Sequence, residues 1–568
     1  MRWSLKPEPP KETINHLVEV LGVEPLIATL LAQRGVATFD QAKAFFRPSL
    51  EQLHDPYLMK DMHKAVDRLE AAFVQGERIL VFGDYDVDGT TAVALMASYL
   101  RSIYDEVDTY IPDRYAEGYG VSTAGIDYAV DNGITLIVAL DCGIKSIDKV
   151  EYARQQGVDF IICDHHLPGE TVPQAVAVLD PKQSDCNYPY KELCGCGVGF
   201  KLVQALAAKR GKTIEDLMPY LDLVATAIGA DIVPITGENR ILAYYGLQVI
   251  NENPRPGIKA LLLQYKQRYF TITDIVFKVA PKINAAGRIE HGNFAVALLT
   301  QFTLEEAQRV AEQIVNFNLE RRALDKEITA AALEQIERSG ETDRKSTVVY
   351  EQTWHKGVIG IVASRLIETH YRPTLVFTKS GTKLAASARS VKNFDVYQAL
   401  EACSDYLEQF GGHMYAAGLT LDEANYQGFK QRFEEVVAQT ITDEQLIPEI
   451  EIDAEIDLTQ IDEKFIRILK QFEPHGPDNM SPVFCTKNLC DHGDMRTLGS
   501  ENEHLKLSVV QGDSQAVSSI GFGLGRFYPK LLGKQPFSMA YCLDENEWNG
   551  RLTMQFQIKD LKVENSSH

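Results

Sequence analysis

Residues 79–89 read Ile-Leu-Val-Phe-Gly-Asp-Tyr-Asp-Val-Asp-Gly, so a short apolar run leads directly into three aspartates at alternate positions. A uniformly apolar run bounded by glycine is typical of a strand buried on both faces of a parallel sheet. Asp84, Asp86 and Asp88 therefore follow the carboxyl end of a predicted strand. Taken alone, the triplet is also typical of a calcium-binding loop or an exposed acidic turn, so its meaning depends on the surrounding sequence.

Similar apolar runs recur along the following hundred residues, separated by stretches with helical spacing. They lie at 107–111, 136–140, 160–163 and 175–179. Apolar strands that alternate with helices predict βαβ units and a buried parallel sheet, and hence an α/β fold.

Acidic residues and histidines follow two of these other runs as well. Asp141 comes directly after residues 136–140, and Asp164, His165 and His166 come directly after 160–163. Ligands bind beyond the carboxyl ends of the strands in open parallel sheets, so we expect these side chains to meet the first triplet at one edge. Carboxylates crowded in this way repel one another unless a cation lies among them.

The chemistry of the expected cluster indicates a hydrolase of phosphoesters. Aspartate oxygens mixed with imidazole suit Mn²⁺ or Mg²⁺ better than a thiolate-rich zinc site. Two such ions about 3.5–4 Å apart would hold a phosphate and its attacking nucleophile together. Asp231, after the apolar stretch 221–229, is a further candidate ligand, although an aspartate there is also typical of a helix or loop cap.

A zinc knuckle is the competing metal site. Cys186, Cys194 and Cys196 come closest to one, but no fourth ligand follows at a usual spacing, so buried or loop thiols are the favoured interpretation. The chain has nine scattered cysteines, which fits reduced thiols better than a disulfide framework.

The rest of the chain divides by pattern into further segments. Residues 1–74 are predicted to form a helical N-terminal segment and 75–300 the parallel-sheet domain. Residues 303–339 have helical apolar spacing, with Thr303 and Glu306 placed as a capping box and Gly340 at the end. We expect one helix of roughly 55 Å that connects two domains over residues 301–340.

Two more domains are predicted after this helix. Residues 341–440 have the pattern of a second α/β domain. Residues 450–563 indicate an all-β module and a small barrel, because 504–510 alternates and 552–558 is strand-like. Asn549-Gly550 is a hairpin turn signal between two of its strands.

Composition limits the classes of function. Of 568 residues, 45% are hydrophobic and 24% charged, which is ordinary for a globular protein. The net charge of −22 argues against a protein that simply coats nucleic acid, but it does not exclude a basic groove on an acidic body. The sequence shows neither a signal peptide nor a transmembrane run, so we expect a cytoplasmic protein that is not in a membrane.

The ordered motifs resemble the DHH phosphoesterase superfamily. They are Asp-Tyr-Asp-Val-Asp-Gly at 84–89, Asp141-Cys142-Gly143, Asp164-His165-His166 and Asp231. Within it the chain is similar to the RecJ family of single-strand-specific 5′ exonucleases, over roughly residues 75–560. The segments that carry this closer resemblance are 110–114, 117–120, 284–288, 354–360 and 410–413.

The resemblance implies a ligand set for two ions. Asp88, Asp141, His165 and Asp231 would bind one ion, whereas Asp86, the bridging Asp141 and Asp84 would bind the second. His166 would face the scissile phosphate, and Asp164 would orient the histidines. Arg114, Arg288, Ser387 and Arg389 would together hold the 5′-terminal phosphate, and His413 would be a further substrate contact or a packed structural histidine.

The family's Gly-Ser-x-Arg-Ser stretch is here Ala386-Ser387-Ala388-Arg389-Ser390, so its first glycine is missing. That difference puts the local backbone geometry in question but leaves the Ser-x-Arg core. The β module resembles the OB fold of the family, which binds single strands by stacking and a basic groove.

The resemblance implies a 5′→3′ exonuclease specific for single-stranded DNA, in DNA recombination and repair. Single-strand-binding protein and a DNA helicase are its expected protein partners. Two alternatives remain open: a DHH phosphodiesterase of short oligonucleotides, cyclic dinucleotides or pyrophosphate, and a non-catalytic DNA-binding relative. The β module disfavours the first, and the complete set of aspartates and histidines disfavours the second.

Overall fold

The computed structural model describes residues 1–533, 535–548 and 551–563. They form two compact units. The larger unit comprises residues 4–287, 291–314 and the described residues from 451 onward, and the smaller unit comprises 1–3, 288–290 and 315–450. Among the described residues, no helix combines the length and the apolar character needed to cross a bilayer.

The N-terminal segment begins with a short strand that the sequence pattern did not indicate, β1 (Arg2–Leu5). The predicted helical region follows as α1 (Lys11–Leu21), α2 (Pro25–Ala32) and α3 (Phe39–Phe46). A capping box of Thr38 and Gln41 fixes the start of α3, since each side chain bonds to the backbone of the other residue.

The predicted βαβ pattern is confirmed. Its elements are α4 (Met62–Gln75), β2 (Arg78–Gly83), α5 (Val87–Arg101), β3 (Val107–Tyr110), α6 (Thr123–Asp131), β4 (Ile134–Leu140), α7 (Ile147–Gln155), β5 (Asp159–Cys163) and β6 (Ala177–Leu179). The strands lie in the order β3-β2-β4-β5-β6, and all neighbours are parallel. The central strands β2 and β4 are buried almost throughout, which explains their uniformly apolar sequences.

Helices continue the larger unit after the sheet. They are α8 (Gly195–Lys209), α9 (Leu221–Asp231), α10 (Gly237–Glu252), α11 (Pro256–Leu262), α12 (Ile272–Asp274), α13 (Ala280–Ile289) and α14 (Asn293–Leu299). A π-helical turn, Ile275–Val279, joins α12 to α13. Helices α8 and α9 both pack against α5, the helix that follows the aspartate triplet.

The long helix is confirmed as α15 (Leu304–Arg338), with 35 residues and a length of about 52 Å. Thr303 and Glu306 form the predicted capping interaction, because the Glu306 amide donates to Thr303 Oγ1 at 3.3 Å and Thr303 Oγ1 donates to the Glu306 carboxylate at 2.7 Å.

The smaller unit has the predicted second α/β pattern. Its elements after α15 are β7 (Thr347–Tyr350), α16 (Ile359–Thr369), β8 (Thr374–Ser380), β9 (Lys383–Arg389), α17 (Val396–Glu401), β10 (Gln409–His413), β11 (Ala416–Leu421) and α18 (Tyr426–Thr440). The sheet order is β10-β11-β9-β8-β7, in which only the β7–β8 pair is parallel among the described strands.

The C-terminal region contains the predicted barrel. Its elements are β12 (Glu449–Ile452), β13 (Ala454–Glu455), α19 (Glu463–Lys470), β14 (Phe484–Asp491), β15 (Arg496–Leu498), β16 (His504–Val510), β17 (Val517–Gly521), α20 (Tyr528–Leu531), β18 (Phe537–Trp548) and β19 (Arg551–Val563). Pairing runs β14-β18-β19-β17-β16, and an additional β14–β16 pairing closes the ring. The predicted turn at Asn549-Gly550 lies outside the described residues.

The N-terminal helices share one hydrophobic core with this barrel. Leu17 and Leu30 belong to the same buried cluster as Phe465, Phe472 and Phe484. Phe45 and Phe46 each pack edge-on against Phe472, at ring-centroid distances of 5.2 and 5.6 Å. The two ends of the chain therefore form a single folded body within the larger unit, which the local sequence pattern could not indicate.

Arg240 on α10 joins this body to the domain of the parallel sheet. Its guanidinium lies over the ring of Phe45 at 4.0 Å and donates to the Phe45 carbonyl. It also donates to the backbone carbonyls of residues 471–474, at 2.9–3.3 Å. Burial lowers the pKa of Arg240 to about 10, so the side chain stays charged at neutral pH.

Replacing this arginine should destabilise the larger unit. Arg240→Met removes a cation that serves several buried carbonyls at once, so we expect a loss of about 3 kcal/mol or more and a lower melting temperature by calorimetry. Arg154→Met is the control, because Arg154 is 61% exposed and, among the described residues, forms its ion pair with Glu151 one turn away. Equal melting temperatures for both variants would contradict the role given to Arg240.

Candidate metal centre

The first aspartates are held in a tight turn between β2 and α5. Asp84 is fully buried, and Asp86 begins the helix, with Oδ1 accepting from the Gly89 amide at 3.0 Å. A Cβ on Gly89 would lie 2.4 Å from the Asp84 carbonyl oxygen, so only glycine permits this close return of the chain. The turn therefore delivers the triplet to the end of the sheet.

The next two strands deliver their side chains in register. The Asp141 amide donates to the Cys163 carbonyl at 2.8 Å, and the Asp164 amide donates to the Leu179 carbonyl at 3.0 Å, so both aspartates continue the sheet ladder. Asp141 has a φ of 58°, a left-handed conformation that aspartate tolerates better than most residues. A Cβ on Gly195 would lie 2.5 Å from Asp141, so the start of α8 packs directly on this residue.

Four of the predicted ligands converge on one point. His165 Nε2 lies 3.2 Å from Asp141 Oδ1, 3.5 Å from Asp231 Oδ2 and 3.8 Å from Asp88 Oδ2. Asp231 reaches the cluster as the last residue of α9, so its position depends on helix packing rather than on a strand. These are the residues expected to bind the first ion.

The chemistry of the cluster fits a divalent cation. Asp141 Oδ1 and His165 Nε2 are buried, and neither makes a hydrogen bond to any residue that the structure describes. Buried polar atoms normally have partners, so atoms without them in a carboxylate–imidazole cluster indicate a bound ion. Three carboxylates and one imidazole are donors that Mn²⁺ accepts readily and Mg²⁺ tolerates.

The electrostatics lead to the same conclusion. Burial, followed by the charge of Asp86, raises the pKa of Asp88 to about 7, and burial with Asp88 and Asp86 raises that of Asp231 to about 9. Burial and the neighbouring carboxylates also raise the pKa of Asp141. Burial lowers the pKa of His165 to about 3, so its imidazole is neutral and can act as a ligand. A cation among these carboxylates would therefore stabilise their charged forms.

The predicted second set is only partly gathered. After burial, the charge of Asp86 is the largest contribution that raises the pKa of Asp84, so the two carboxylates lie close together. However, Asp86 Oδ1 also caps α5. His166 forms a second close group of possible donors with Asp141 and His165. The assignment of Asp84 and Asp86 to a second ion stays a prediction.

His166 is held from both sides of its ring. Its Nδ1 donates to Asp164 Oδ1 at 2.7 Å, and its Nε2 lies 3.1 Å from the Tyr119 hydroxyl. Burial is the largest single influence on His166 and opposes its protonation, but the hydrogen bond and the charge of Asp164, together with the charges of Asp88 and Asp86, raise the pKa. Burial raises the pKa of Asp164, but the hydrogen bond and charge of His166, the Ile144 amide and the charge of His165 together bring the value to about 2. Asp164 also accepts from the amides of His165 and Ile144, as expected of a residue that orients the histidines.

Tyr119 is a site residue that the sequence reasoning missed. Its hydroxyl also donates to the Asp141 carbonyl at 3.3 Å, so it contacts both the metal cluster and His166. Residues 117–120 are one of the segments that carry the family resemblance, and that motif is the sequence signal from which a role for Tyr119 could have been predicted.

The cysteine-rich loop supports Asp88. The amides of Gly195 and Cys196 donate to its two carboxylate oxygens, each at 2.7 Å. Cys194 and Cys196 are fully buried, and Cys194 Sγ accepts from the Gly197 amide at the start of α8. Cys186 is buried as well. The three thiols thus have packing and capping roles, as in the favoured alternative to a zinc knuckle.

Arg114, the first predicted phosphate contact, lies beside the aspartate turn. Its guanidinium lies over the ring of Tyr85 at 3.9 Å, and its Nε donates to the Gly287 carbonyl at 3.0 Å. The positive charge of Arg114 also lowers the pKa of Asp84 against the larger effects of burial and Asp86.

The smaller unit gathers three of the other predicted residues around the start of α16. Arg389 Nη1 donates to Ser387 Oγ at 2.9 Å, and a Cβ on Gly360 would lie within 3.0 Å of both side chains. Arg288 Nη1 donates to the Gly357 carbonyl at 3.0 Å. Burial lowers the pKa of Arg389, and no carboxylate in the described chain pairs with it, so this site favours an anion.

The smaller unit also contains Ala386, where the family has glycine, and His413, a predicted substrate contact. Ala386 is a regular residue of β9 that pairs with Leu419 and Phe377, so the alanine leaves the strand intact. His413 is exposed at the end of β10, away from the buried core, and its role as a substrate contact stays a prediction.

A parallel sheet with an aspartate–histidine cluster at its carboxyl edge is the arrangement expected of a DHH phosphoesterase. Family models agree with this class. Residues 78–228 match the DHH family N-terminal domain, 343–439 match the DHHA1 domain, and 452–560 match the RecJ OB domain.

Known proteins similar to the chain define it more narrowly. It is 35% identical to the single-stranded-DNA-specific exonuclease RecJ of Bacillus subtilis, over 99% of this chain and 71% of that protein. RecJ of Thermus thermophilus in complex with Mn²⁺ superimposes with a TM-score of 0.85 at 28% identity, covering 100% of this chain and 80% of that one. The same protein in complex with Mg²⁺ superimposes with a TM-score of 0.78 at 27% identity, covering 100% of this chain and 79% of that one. The chain belongs to the RecJ family.

The site geometry ranks two substitutions. Asp141→Asn should reduce cleavage more than Asp164→Asn, because Asp141 is a predicted ligand, whereas Asp164 is expected to act through His166 and its loss should cost about 10–100-fold. In chelator, Asp141→Asn should melt at a higher temperature than the wild type. Folding raises the pKa of Asp141. The ionised wild-type carboxylate therefore destabilises the fold at every pH above the pKa that Asp141 has in the unfolded chain. A wild-type rate for Asp141→Asn, or a lower melting temperature in chelator, would refute the ligand assignment.

Proposed function

We propose that the chain is a single-stranded-DNA-specific exonuclease that hydrolyses phosphodiester bonds with two Mn²⁺ or Mg²⁺ ions. The observation that carries this function is the convergence of Asp88, Asp141, Asp231 and His165, with buried atoms that lack partners among the residues described. The similarity to metal-bound RecJ over the whole chain supports it. The pathways that need this reaction are DNA recombination and repair.

The residues of the site have different roles in metal binding and in hydrolysis. Asp88, Asp141, His165 and Asp231 would hold one ion, and Asp84, Asp86 and Asp141 would hold the second. When bound, the ions supply positive charge that draws the phosphate in and stabilises the charge developing during hydrolysis. Asp164 and Tyr119 fix the ring of His166, which offers a hydrogen bond or a proton to the scissile phosphate.

The strand is cut from its 5′ end. In the smaller unit, Arg389 and Ser387 at the start of α16 bind the terminal phosphate, and Arg288 lies beside the same turn. Arginine suits this role because its planar donors match phosphate oxygens. In the larger unit, Arg114 binds strand phosphates next to the aspartate turn. His413 is a further substrate contact.

The two alternatives are less well supported. A phosphodiesterase of short oligonucleotides or cyclic dinucleotides has no evident use for a closed OB-type barrel, which here shares a core with the N-terminal helices. A non-catalytic relative would have no need to keep four donor side chains converged and poorly neutralised.

Partners and location follow from the reaction. Single-stranded DNA is the substrate, and single-strand-binding protein and a DNA helicase would supply and present such strands. A cytoplasmic location fits the cysteines, since all nine are free thiols and most are buried.

Digestion of end-labelled strands tests the function. We expect chelator to abolish cleavage and Mn²⁺ or Mg²⁺ to restore it, because the carboxylate cluster requires a cation. A bulky block at the 5′ end should stop degradation, whereas a 3′ block should not, and duplex DNA should resist. Cleavage in excess chelator would contradict the metal-ion mechanism, and cleavage that stops only at a 3′ block would reverse the polarity.

The phosphate contact has its own test. Arg389→Ala should weaken binding of a 5′-phosphorylated strand by about 1.5–3 kcal/mol, the usual range for a charged hydrogen bond. A 5′-hydroxyl strand, which lacks this phosphate, should lose much less. The measurement is the dissociation constant of each strand, with Arg365→Ala as a control because Arg365 is half exposed and pairs with Glu368. Equal losses on both strands would place Arg389 outside the phosphate site.

A further inference from the structure

Residues 259–282, the aromatic-basic segment, have an unusual composition for this chain. The segment carries five cations and one carboxylate, a net charge of +4, whereas the whole chain carries −22. Its charged residues are Lys259, Lys266, Arg268, Lys278, Lys282 and Asp274. Its aromatic residues, which alternate with them, are Tyr265, Tyr269, Phe270 and Phe277. Cations interleaved with aromatic rings are typical of surfaces that bind single-stranded nucleic acid.

Part of the segment is exposed although it is apolar. Phe277 is 74% exposed and Tyr269 is 52% exposed, and Lys266, three residues before Tyr269, is exposed as well. Ile275 and Val279, on either side of Phe277, are buried and anchor the turn. Phe277 lies in the π-helical turn. Such turns are rare in proteins, and those that occur are often at functional sites.

The inner side of the segment is firmly supported. Lys282 Nζ donates to the Tyr265 hydroxyl at 2.9 Å and to the Lys278 carbonyl at 2.7 Å. Lys278 lies over the rings of Tyr265 and Phe270 at 5.2 and 5.9 Å. Burial lowers the pKa of Lys282 to about 8, so it remains mostly charged at neutral pH. The segment is therefore a folded platform that presents its remaining rings and cations outward.

The helix that continues from the platform reaches the aspartate turn. The helical run that starts at Ile272 continues through the π-helical turn to Gly287, where a Cβ would lie 2.7 Å from the Tyr85 carbonyl oxygen. Tyr85 is part of the aspartate turn. Fifteen residues of helix span about 22 Å, which is the length of about six stacked nucleotides.

The other end of the platform lies towards the barrel. Phe270 exchanges two hydrogen bonds with Asn251 of α10, at 2.7 and 2.9 Å, and Arg240 of the same helix holds residues 471–474, which lead into the barrel. Burial raises the pKa of Glu473, and the charges of Glu545, Asp544 and Asp274 add to it, so the platform and the barrel are close enough to interact electrostatically.

We infer that the exposed face of the aromatic-basic segment, with Phe277, Tyr269 and Lys266, binds the single strand between the metal centre and the barrel. Phe277 and Tyr269 stack on bases, and Lys266 neutralises a backbone phosphate. The occupied nucleotides lie up to about six positions from the bond that is cut. This inference rests on the proposed function, which supplies the single strand.

Binding of a fluorescent strand of roughly 20 nucleotides tests the inference, in an Asp141→Asn background with Mn²⁺ so that the strand stays intact. Phe277→Ala should weaken binding at least about fivefold, as expected for loss of one base stack. Phe302→Ala is the matched control, because Phe302 is 91% exposed outside the segment, and it should bind like the parent. Lys266→Gln should lower the slope of log affinity against log salt by about 0.7, and the exposed Lys43→Gln on α3 should leave binding of the strand less affected.

A cleavage assay in the active background separates the segment from the metal centre. Phe277→Ala should cut a strand of roughly two nucleotides, too short to reach the platform, at the wild-type rate, and its Michaelis constant should rise only on the long strand. Unchanged binding of the long strand by both Phe277→Ala and Lys266→Gln would overturn the inference, and so would equal losses on short and long strands. A wild-type protein that binds but cuts no single strand would defeat the proposed function, whereas the binding measurements would still decide whether the segment holds DNA.

Discussion

Repulsion among buried carboxylates is the constraint on which the rest of this structure depends. Three strands and one helix deliver aspartates to a space from which water is largely excluded, and their pKa values rise as a result. Such a cluster is tolerable only if the surrounding backbone is rigid and a cation neutralises it. The tight turn at Gly89 and the packing of Gly195 on Asp141 supply the rigidity, and both positions accept only glycine for steric reasons.

Backbone amides stabilise part of the negative charge of the carboxylates before any ion binds. The start of α8 directs the amides of Gly195 and Cys196 at Asp88, and Asp86 accepts the Gly89 amide at the start of α5. Amides at a helix start favour negative charge, so each carboxylate has some fixed compensation. His166 has the opposite arrangement, since Asp164 favours its positive form. The site therefore keeps a neutral imidazole on His165 next to a more basic one on His166.

Much of this was predictable from sequence because it is local. The strands that end at Asp84, Asp141 and Asp164 were evident as uniformly apolar runs, and the rule for parallel sheets placed their ends together. Helix α15 was evident from its spacing and its cap. The barrel was evident from alternation in β16, where every second residue is buried. In each case, the signal and the structure it predicts lie within one short segment.

What was not predictable depends on contacts between distant segments. Asp231 was a candidate ligand from sequence, but its convergence with the other residues depends on the packing of α9 on α5. Tyr119 reaches His166 through the fold of its loop. Neither contact leaves a periodic pattern. The shared core of the N-terminal helices and the barrel was likewise hidden, because each half shows only an ordinary amphipathic pattern.

That shared core has a consequence for synthesis of the chain. Leu17 and Leu30 find their partners at Phe465 and Phe484, more than 430 residues later. At about 5–20 residues per second, a ribosome takes roughly 20–90 seconds to make the intervening chain. During that time, the first helices expose an apolar face that nothing yet synthesised can cover. Aggregation or a holding chaperone competes for that face, so the yield of native protein should depend on elongation speed more than on the stability of the finished fold.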